Sequence, residues 1–283
     1  LESRSPALRA RLAGDSLPAH GRAVDDAGIS RVNLIDATPI GVNVRSTVAT
    51  YSGVLDELRR AFARTEEAQA AGLKPGAFSY NTGSLRCPTC DGTGQITLDV
   101  QFLPDVDIEC TECRGSRYGA QADSIRRDGL SLPDILAMSV DEARVAVRGL
   151  KKAGALLETL SGLGLGYLTL GEATPALSGG EAQRLKLASE MGRRQDGTLF
   201  VFDEPTIGLH PDDVQVLIDV LQRLIERGAT VLVIEHDLDL IRCADWVIDM
   251  GPGGGIEGGC IVAQGTPSEI ATNEASLTGR YLR

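Results

Sequence analysis

Two short apolar runs in the C-terminal part of the chain have the composition of buried strands. The first covers 198–202 and is followed by the carboxylates Asp203 and Glu204, and the second covers 229–234 and is followed, after one residue, by His236. Their length and their β-branched and aromatic content favour strands over helices. Because parallel strands end at the same edge of a sheet, we expect the polar side chains that follow them to converge on one site.

A single amphipathic helix is predicted between these two runs. Pro211 occupies a first helical position, Asp212 and Asp213 fall in the first turn, and Gly228 follows the end of the helix. A strand, a helix and a second strand arranged in this way form a right-handed βαβ unit. The pattern therefore predicts an α/β fold with a parallel sheet.

The same periodicities predict further elements along the chain. They indicate a strand at 31–35, helices at 54–63, 132–147 and 151–160, and a closing hairpin whose strands cover 244–250 and 260–264. We expect the isolated cysteines Cys243 and Cys260 to belong to the core.

A candidate phosphate site lies at the start of another helix. Ser178 and Glu181 have the spacing of a capping box, and Gly179 and Gly180 let the backbone come close to a ligand. The free N–H groups of a first helical turn favour an anion there. Taken alone, this pattern is more often an ordinary capped surface helix, and the downstream strands are what favour a nucleotide site.

Four cysteines have the spacing of a structural metal site. Cys87, Cys90, Cys110 and Cys113 form two C-x2-C pairs separated by 19 residues. This spacing suits a tetrahedral four-cysteine zinc site. Disulfides or inert buried thiols are the alternatives, and the lack of a secretory signal in the sequence argues against disulfides.

Charge and hydropathy limit the functions that fit the chain. The formal net charge is −11 at pH 7, so any contact with nucleic acid has to be local, because non-specific binding depends on neutralising phosphates. Candidate phosphate contacts are the arginines beside the cysteine pairs, Arg86, Arg114 and Arg117, with plain surface arginines as the alternative. No apolar run approaches the roughly 20 residues of a membrane span, so we expect a cytoplasmic protein without a membrane partner.

The sequence contains no phosphate-binding P-loop of the form G-x-x-x-x-G-K-[ST]. None of its four lysines follows a glycine. We therefore expect either that the chain begins just after such a loop, or that it is a degenerate half that does not hold ATP by itself.

Three motifs together resemble the UvrA family of ABC-type ATPases. They are LSGGEAQRLKLASE at 177–190, DEPTIGLH at 203–210 and VIEHDLDLIRCADWVIDMGPGGGIEGGCIVAQGTP at 233–267, and they resemble the second ATPase half of that family. The cysteine segment also resembles the UvrA zinc module, although C-x-x-C-x-G-x-G alone is similar to DnaJ-type chaperone modules as well. The chain has Ala37 where the resemblance leads us to expect a glutamine, which argues against nucleotide sensing by that loop.

The resemblance implies an ABC-type ATPase half, with a P-loop NTPase-like parallel sheet flanked by helices and an inserted four-cysteine zinc module and helical segment. It divides the chain into four parts. Residues 1–76 are an N-terminal ATPase part lacking the P-loop, and residues 77–125 are the zinc module. Residues 126–170 form a helical connection, and residues 171–283 contain the signature, Walker B and switch histidine.

The resemblance also assigns roles to the site residues, with ATP, Mg²⁺ and Zn²⁺ as cofactors. Asp203 would hold Mg²⁺, Glu204 would polarise the attacking water and His236 would contact the γ-phosphate. The residues that would close over a nucleotide held by the other ATPase half are Ser178, Gly179, Gly180 and Gln183.

The implied function is ATP-dependent recognition of damaged double-stranded DNA in nucleotide excision repair. The implied partners are a second ABC half, a homodimer partner and a UvrB-like repair helicase subunit. Two alternatives remain: a UvrA-like paralogue serving drug self-resistance, and a zinc scaffold whose ATPase half is inactive.

Overall fold

The computed structural model describes residues 4–18, 25–41, 43–98, 106–191, 195–209, 211–253 and 258–283. Residues 99–105, between the cysteine pairs, and 254–257, in the glycine-rich segment before Cys260, lie outside these ranges. The helices are α1 Arg4–Ala13, α2 Val48–Tyr51, α3 Val54–Phe62, α4 Glu66–Ala70, α5 Leu132–Leu136, α6 Val140–Ala146, α7 Lys151–Leu160, α8 Gly179–Met191, α9 Pro211–Glu226, α10 Leu238–Arg242, α11 Pro267–Thr272 and α12 Leu277–Leu282.

The strands are short and fall into four sheets. They are β1 Arg31–Ile35, β2 Gln95–Leu98, β3 Val106–Glu109, β4 Arg126–Arg127, β5 Leu130–Ser131, β6 Thr198–Asp203, β7 Thr230–Ile234, β8 Val247–Gly251 and β9 Cys260–Gly265. The chain forms two compact units, one comprising Leu1–Asp36 with Arg194–Arg283 and the other Ala37–Arg193. The predicted segment 171–283 is thus shared between the two units.

The first unit is built on a parallel sheet with the strand order β1-β6-β7. The register pairs Ile35 with Phe202, and Asp203 with Ile234. Phe200 and Phe202 are fully buried, with ring centroids 6.2 Å apart. The α/β fold expected from the two apolar runs is confirmed, because both runs are strands of this sheet and run in the same direction.

Helix α9 connects β6 to β7 and packs against β7. Its apolar positions Leu217, Val220 and Leu224 recur at helical spacing and are buried. This is the helix predicted from Pro211, and it leads the chain back to begin β7 parallel to β6.

The closing hairpin is also confirmed, since β8 and β9 pair antiparallel. The expectation that Cys243 and Cys260 are core residues is wrong, because both are exposed. Cys243 is the C-cap of the short helix α10, and Cys260 is the first residue of β9. Each cysteine therefore lies at the end of an element and outside the core.

The second unit has a helical core. Helix α7 packs against α3 and α8, and the buried side chains there include Phe62, Leu58, Leu157 and Leu185. α3 matches the predicted amphipathic helix at 54–63 to within one residue.

The single helix predicted at 132–147 is wrong, because the structure has two helices, α5 and α6. The chain is extended at Ser139 (φ −64°, ψ 161°), whose hydroxyl accepts from the N–H of Glu142, while the Glu142 carboxylate accepts from the N–H of Ser139. This capping box starts a new helix. The apolar periodicity continues across the break, which is why the sequence pattern did not reveal it.

Between the two cysteine pairs, β2 and β3 form an antiparallel hairpin that pairs Gln95 with Glu109. No helix in the described part of the chain is long and apolar enough to cross a membrane.

Candidate functional site

The four predicted metal ligands come together in the second unit. The sulfur atoms of Cys87, Cys90, Cys110 and Cys113 all lie within 4.8 Å of one another, and all four residues are buried. The Cys90 and Cys113 sulfurs are 3.6 Å apart, and those of Cys87 and Cys110 are 3.9 Å apart. Zn–S bonds of 2.3 Å in a tetrahedron place sulfurs about 3.8 Å apart, so the cluster has the size of a four-thiolate metal site.

Tight turns after each cysteine pair produce this geometry. Gly92 has φ +79°, and a Cβ atom there would lie 1.8 Å from the carbonyl oxygen of Tyr80. Only glycine fits a position that combines a left-handed conformation with such a close approach. Two residues later, the N–H of Gly94 donates to the Cys90 sulfur at 3.3 Å.

The local environment shifts the pKa values of two of these thiols in opposite directions. Burial raises the pKa of Cys90, but donors including the N–H groups of Gly94 and Gly92 and the Cys113 thiol outweigh it and lower this pKa to about 7. Burial raises the pKa of Cys113 to about 12. Four buried thiols do not ionise together without a compensating cation, so the donor set fits a divalent metal ion.

Arg117 is part of the interior of this module. Its side chain is only 7% exposed, its guanidinium lies 5.3 Å from the centre of the Tyr80 ring, and Nη1 donates to the carbonyl of Val44 at 2.9 Å. A DNA contact would require an exposed side chain, so we exclude Arg117 from the predicted phosphate contacts. Burial lowers the pKa of the Arg117 guanidinium, while the neighbouring Tyr80, Cys90 and Cys113 favour its charged form.

The other two predicted phosphate contacts remain accessible to different degrees. Arg86 Nη2 pairs with Asp91 Oδ1 at 2.9 Å, and Asp91 also pairs with Arg45 at 3.3 Å. Arg114 is exposed and has φ +47°. Arg86 is therefore partly neutralised by a carboxylate, while Arg114 is directed by its turn to the outside of the module.

In the first unit, the strand ends bring Glu204 and His236 together. Glu204 follows β6 and His236 follows β7 after one residue, and His236 Nε2 lies 3.5 Å from Glu204 Oε1. The His236 side chain is 84% exposed and that of Glu204 41%. Asp203, paired in register with Ile234, ends β6 at the same edge of the sheet. The edge thus places the exposed His236 imidazole beside the Glu204 carboxylate, with Asp203 as the last residue of β6.

Glu204 has an unusual backbone conformation. Its φ is +47°, and its N–H donates to the carbonyl of Ile234 at 2.9 Å, which continues the strand pairing by one residue. A left-handed non-glycine residue costs about 1–3 kcal/mol and is often found at functional sites. The turn redirects the chain and leaves the Glu204 carboxylate beside His236.

Sequence reasoning missed Glu235 as a site residue. Its carboxylate accepts hydrogen bonds from the N–H groups of His236 and Asp237 and from Thr206. The feature of the sequence that could have identified Glu235 is its position between the end of a buried strand and the candidate histidine His236.

In the second unit, the predicted capping box at the start of α8 is confirmed. The Glu181 carboxylate accepts from the N–H of Ser178 at 2.7 Å, and the N–H of Glu181 donates to the Ser178 hydroxyl at 3.4 Å. Tyr167 OH also donates to Glu181. The capping box and Tyr167 therefore fix the first turn of this 13-residue helix.

In the same segment, Gly179 lies close to Ala37 and Gln183 is buried. A Cβ atom on Gly179 would lie 3.1 Å from the Cβ of Ala37. The start of α8 is therefore in close contact with Ala37, the position at which the resemblance leads us to expect a glutamine. Gln183 is only 4% exposed. Since its side chain lies inside the unit, we exclude it from the residues proposed to contact a nucleotide and retain Ser178, Gly179 and Gly180.

Carboxylates and a histidine at the ends of parallel strands, together with a capped glycine turn opening a helix, define the fold and motifs of an ABC-type ATPase half, which here carries a four-cysteine module. No family model matches the chain. It is 51% identical to UvrABC system protein A of Aquifex aeolicus over 256 residues, which are 90% of this chain and 28% of that protein. It is 50% identical to UvrABC system protein A of Bacillus subtilis, again over 90% of this chain.

The fold agrees with these sequence similarities. The crystal structure of UvrA2 from Deinococcus radiodurans matches 98% of the chain with a TM-score of 0.88 and 42% identity, over 34% of that protein. The chain belongs to the UvrABC system protein A family. It spans about a quarter to a third of the length of the relatives that it matches.

Proposed function

We propose that this chain is the UvrA-like ABC ATPase half of an excision nuclease system, working in ATP-dependent recognition of damaged double-stranded DNA. The observation that carries the proposal is the 3.5 Å approach of His236 to Glu204 at the carboxyl edge of the sheet. The sequence identity to UvrABC system protein A over 90% of the chain supports it.

The strand-end residues are suited to phosphoryl transfer. Asp203 would hold Mg²⁺, which when bound neutralises charge on the phosphates. Glu204 accepts a proton from, or orients, the water that attacks the γ-phosphate. His236, exposed beside Glu204, donates a hydrogen bond to the γ-phosphate.

The helix start completes a site on a second ABC half. Ser178 and the N–H groups of Gly179 and Gly180 would bind the phosphates of a nucleotide held by the P-loop of that half, in the same protein or in a homodimer partner. We therefore expect the isolated chain to have little ATPase activity. A composite site of this kind makes hydrolysis depend on how the two halves meet.

The cysteine cluster would hold one Zn²⁺ with a structural role. All four positions are filled by thiols, which leaves no open coordination site for catalysis. The metal would fix the turn that carries Arg114 and, beside it, Arg86, so that both contact DNA phosphates. A UvrB-like helicase subunit would take over the DNA after recognition.

The ATPase proposal is tested with Glu204→Gln in the complete gene product. We expect ATP binding to persist and turnover to fall at least about 100-fold, because the variant keeps the shape of the side chain but removes the proton acceptor. Glu274→Gln, the same change at an exposed position, serves as the control. Equal turnover in Glu204→Gln and the control would reject the role of Glu204.

The DNA proposal is tested by titrating salt during binding of the complete gene product to duplexes with and without a lesion. We expect tighter binding to the lesion-bearing duplex. Arg114→Gln should weaken binding and reduce the salt slope by about 1, which is the effect of one lost phosphate contact. Equal affinity for both duplexes would reject lesion recognition.

A further inference from the structure

Glu235 links two loops that are distant in the sequence. Its Oε1 accepts from the N–H of Thr206 at 2.8 Å and from the Thr206 hydroxyl. Its Oε2 accepts from the N–H of His236 at 2.7 Å and from that of Asp237 at 3.2 Å. One carboxylate therefore joins the turn after β6 to the turn after β7.

The contacts to His236 and Asp237 fix the loop that presents the imidazole. Asp237 in turn caps helix α10, accepting from the N–H groups of Asp239 at 3.0 Å and Leu240 at 2.9 Å. The backbone of His236 is thus held between the end of β7 and the first turn of α10. Its side chain, which is largely exposed, owes its position to this backbone.

The contacts to Thr206 fix the turn that contains Glu204. Thr206 lies two residues after Glu204, and the N–H of Ile207 donates to the Glu204 carbonyl at 3.2 Å. Glu204 has φ +47° within this turn. A strained residue keeps such a conformation only when its surroundings over-determine it, and the Glu235 contacts with Thr206 supply part of that constraint.

We propose that Glu235 is a positioning residue that holds Glu204 and His236 in the mutual arrangement required for ATP hydrolysis. The inference rests on the proposed function, because it assigns Glu235 to the same reaction. Glu235 touches neither nucleotide nor water in this role. It acts through the backbone of the two loops that carry Glu204 and His236, which contact the water and the nucleotide.

The chemistry of the carboxylate makes a conservative test available. In Glu235→Gln, one oxygen becomes an amide NH₂ that donates, so at least one loop loses its acceptor and faces another donor. Glu226→Gln makes the same change at an exposed position at the end of α9 and is the matched control. Thr206→Val removes only the hydroxyl contact, and Thr206→Ser retains it.

The link between the loops is tested first, by amide hydrogen exchange of this chain. In Glu235→Gln we expect exchange at Thr206, His236 or Asp237 to accelerate about 10-fold, as the loss of one hydrogen bond predicts. Glu226→Gln should leave these amides unchanged. Unaltered protection of all three amides in Glu235→Gln would overturn the inference.

The effect on the reaction is tested by steady-state kinetics of the complete gene product. We expect Glu235→Gln to lower kcat about 10- to 100-fold with little change in the KM for ATP, as misplacement of catalytic groups does. Thr206→Val should lower kcat less, and Thr206→Ser should restore it. This rescue separates positioning from a general loss of folding.

The outcomes distinguish the inference from the proposed function. A wild-type gene product that hydrolyses ATP, with a normal kcat in both Glu235→Gln and Thr206→Val, would reject the positioning role alone. A wild-type gene product that does not hydrolyse ATP would reject the proposed function, whatever the exchange data show.

Discussion

The guanidinium of Arg117 lies over the ring of Tyr80, 5.3 Å from its centroid. The Tyr80 hydroxyl is 2.9 Å from the hydroxyl of Thr47 and donates to the carbonyl of Arg45 at 3.2 Å. The pair therefore connects the cysteine module to the segment around α2. An arginine that sequence reasoning assigned to DNA is a structural contact between two parts of the second unit.

This finding predicts different effects for two arginines of the same turn. Arg117→Met should destabilise the protein by about 2–3 kcal/mol, because it removes a buried hydrogen bond to the Val44 carbonyl and the contact with the Tyr80 ring. Arg114→Met should change stability by less than about 0.5 kcal/mol. Urea unfolding of both variants measures the difference, and equal stability would contradict the buried role of Arg117.

A second prediction concerns the turn after the first cysteine pair. Gly92→Ala should lower metal content and destabilise the module by more than about 3 kcal/mol, because the new Cβ meets the Tyr80 carbonyl in a left-handed conformation. Gly76→Ala, where a Cβ meets nothing within 4 Å, is the control. Elemental analysis and thermal unfolding report the result, and a full metal load with normal stability in Gly92→Ala would refute it.

Metal removal provides a third prediction. Chelation should unfold the cysteine module, because four buried thiols lose the cation that compensates their charge. We expect about one zinc per chain before chelation and a loss of amide protection in β2 and β3 afterwards. Freshly purified protein without metal, or unchanged exchange after chelation, would count against a structural zinc.

A fourth prediction is that helix α7 is stabilised by Gly154→Ala. Gly154 lies inside the helix, and an added Cβ meets no atom within 4 Å. The substitution should raise the free energy of unfolding by about 0.5–1 kcal/mol, because alanine loses less backbone entropy in a helix. Chemical denaturation measures the change, and a decrease in stability would show that the site is more crowded than the structure indicates.

A fifth prediction concerns pH. The N–H of Ser131, its hydroxyl and Arg126 lower the pKa of Asp134 below its usual 3.8, against the effect of burial. A depressed pKa adds stability that is present above the unfolded-state value and is lost as the pH falls through the folded-state value. The advantage of wild type over Asp134→Asn should therefore be largest at neutral pH and shrink below 3.8. Denaturation across this range checks it, with Asp123→Asn, an exposed aspartate, as the control.

The sequence alone determined the elements whose signals are local. The strand β1 was predicted with its observed bounds, and the strands and helix of the βαβ unit differ by about one residue at their ends. Composition and periodicity are properties of a few neighbouring residues, so these elements can be predicted without knowledge of tertiary contacts. The cysteine spacing likewise indicated a metal-sized cluster, because each C-x2-C pair is itself a local turn.

Only the tertiary structure decided which polar side chains are accessible and which are used internally. The burial of Arg117 and Gln183, the exposure of Cys243, and the role of Glu235 as an acceptor for two loops all depend on residues far away in the sequence. An arginine or a glutamate has the same local pattern whether it faces solvent or a backbone N–H from another loop. Its partners are selected by packing, and packing is a property of the whole fold.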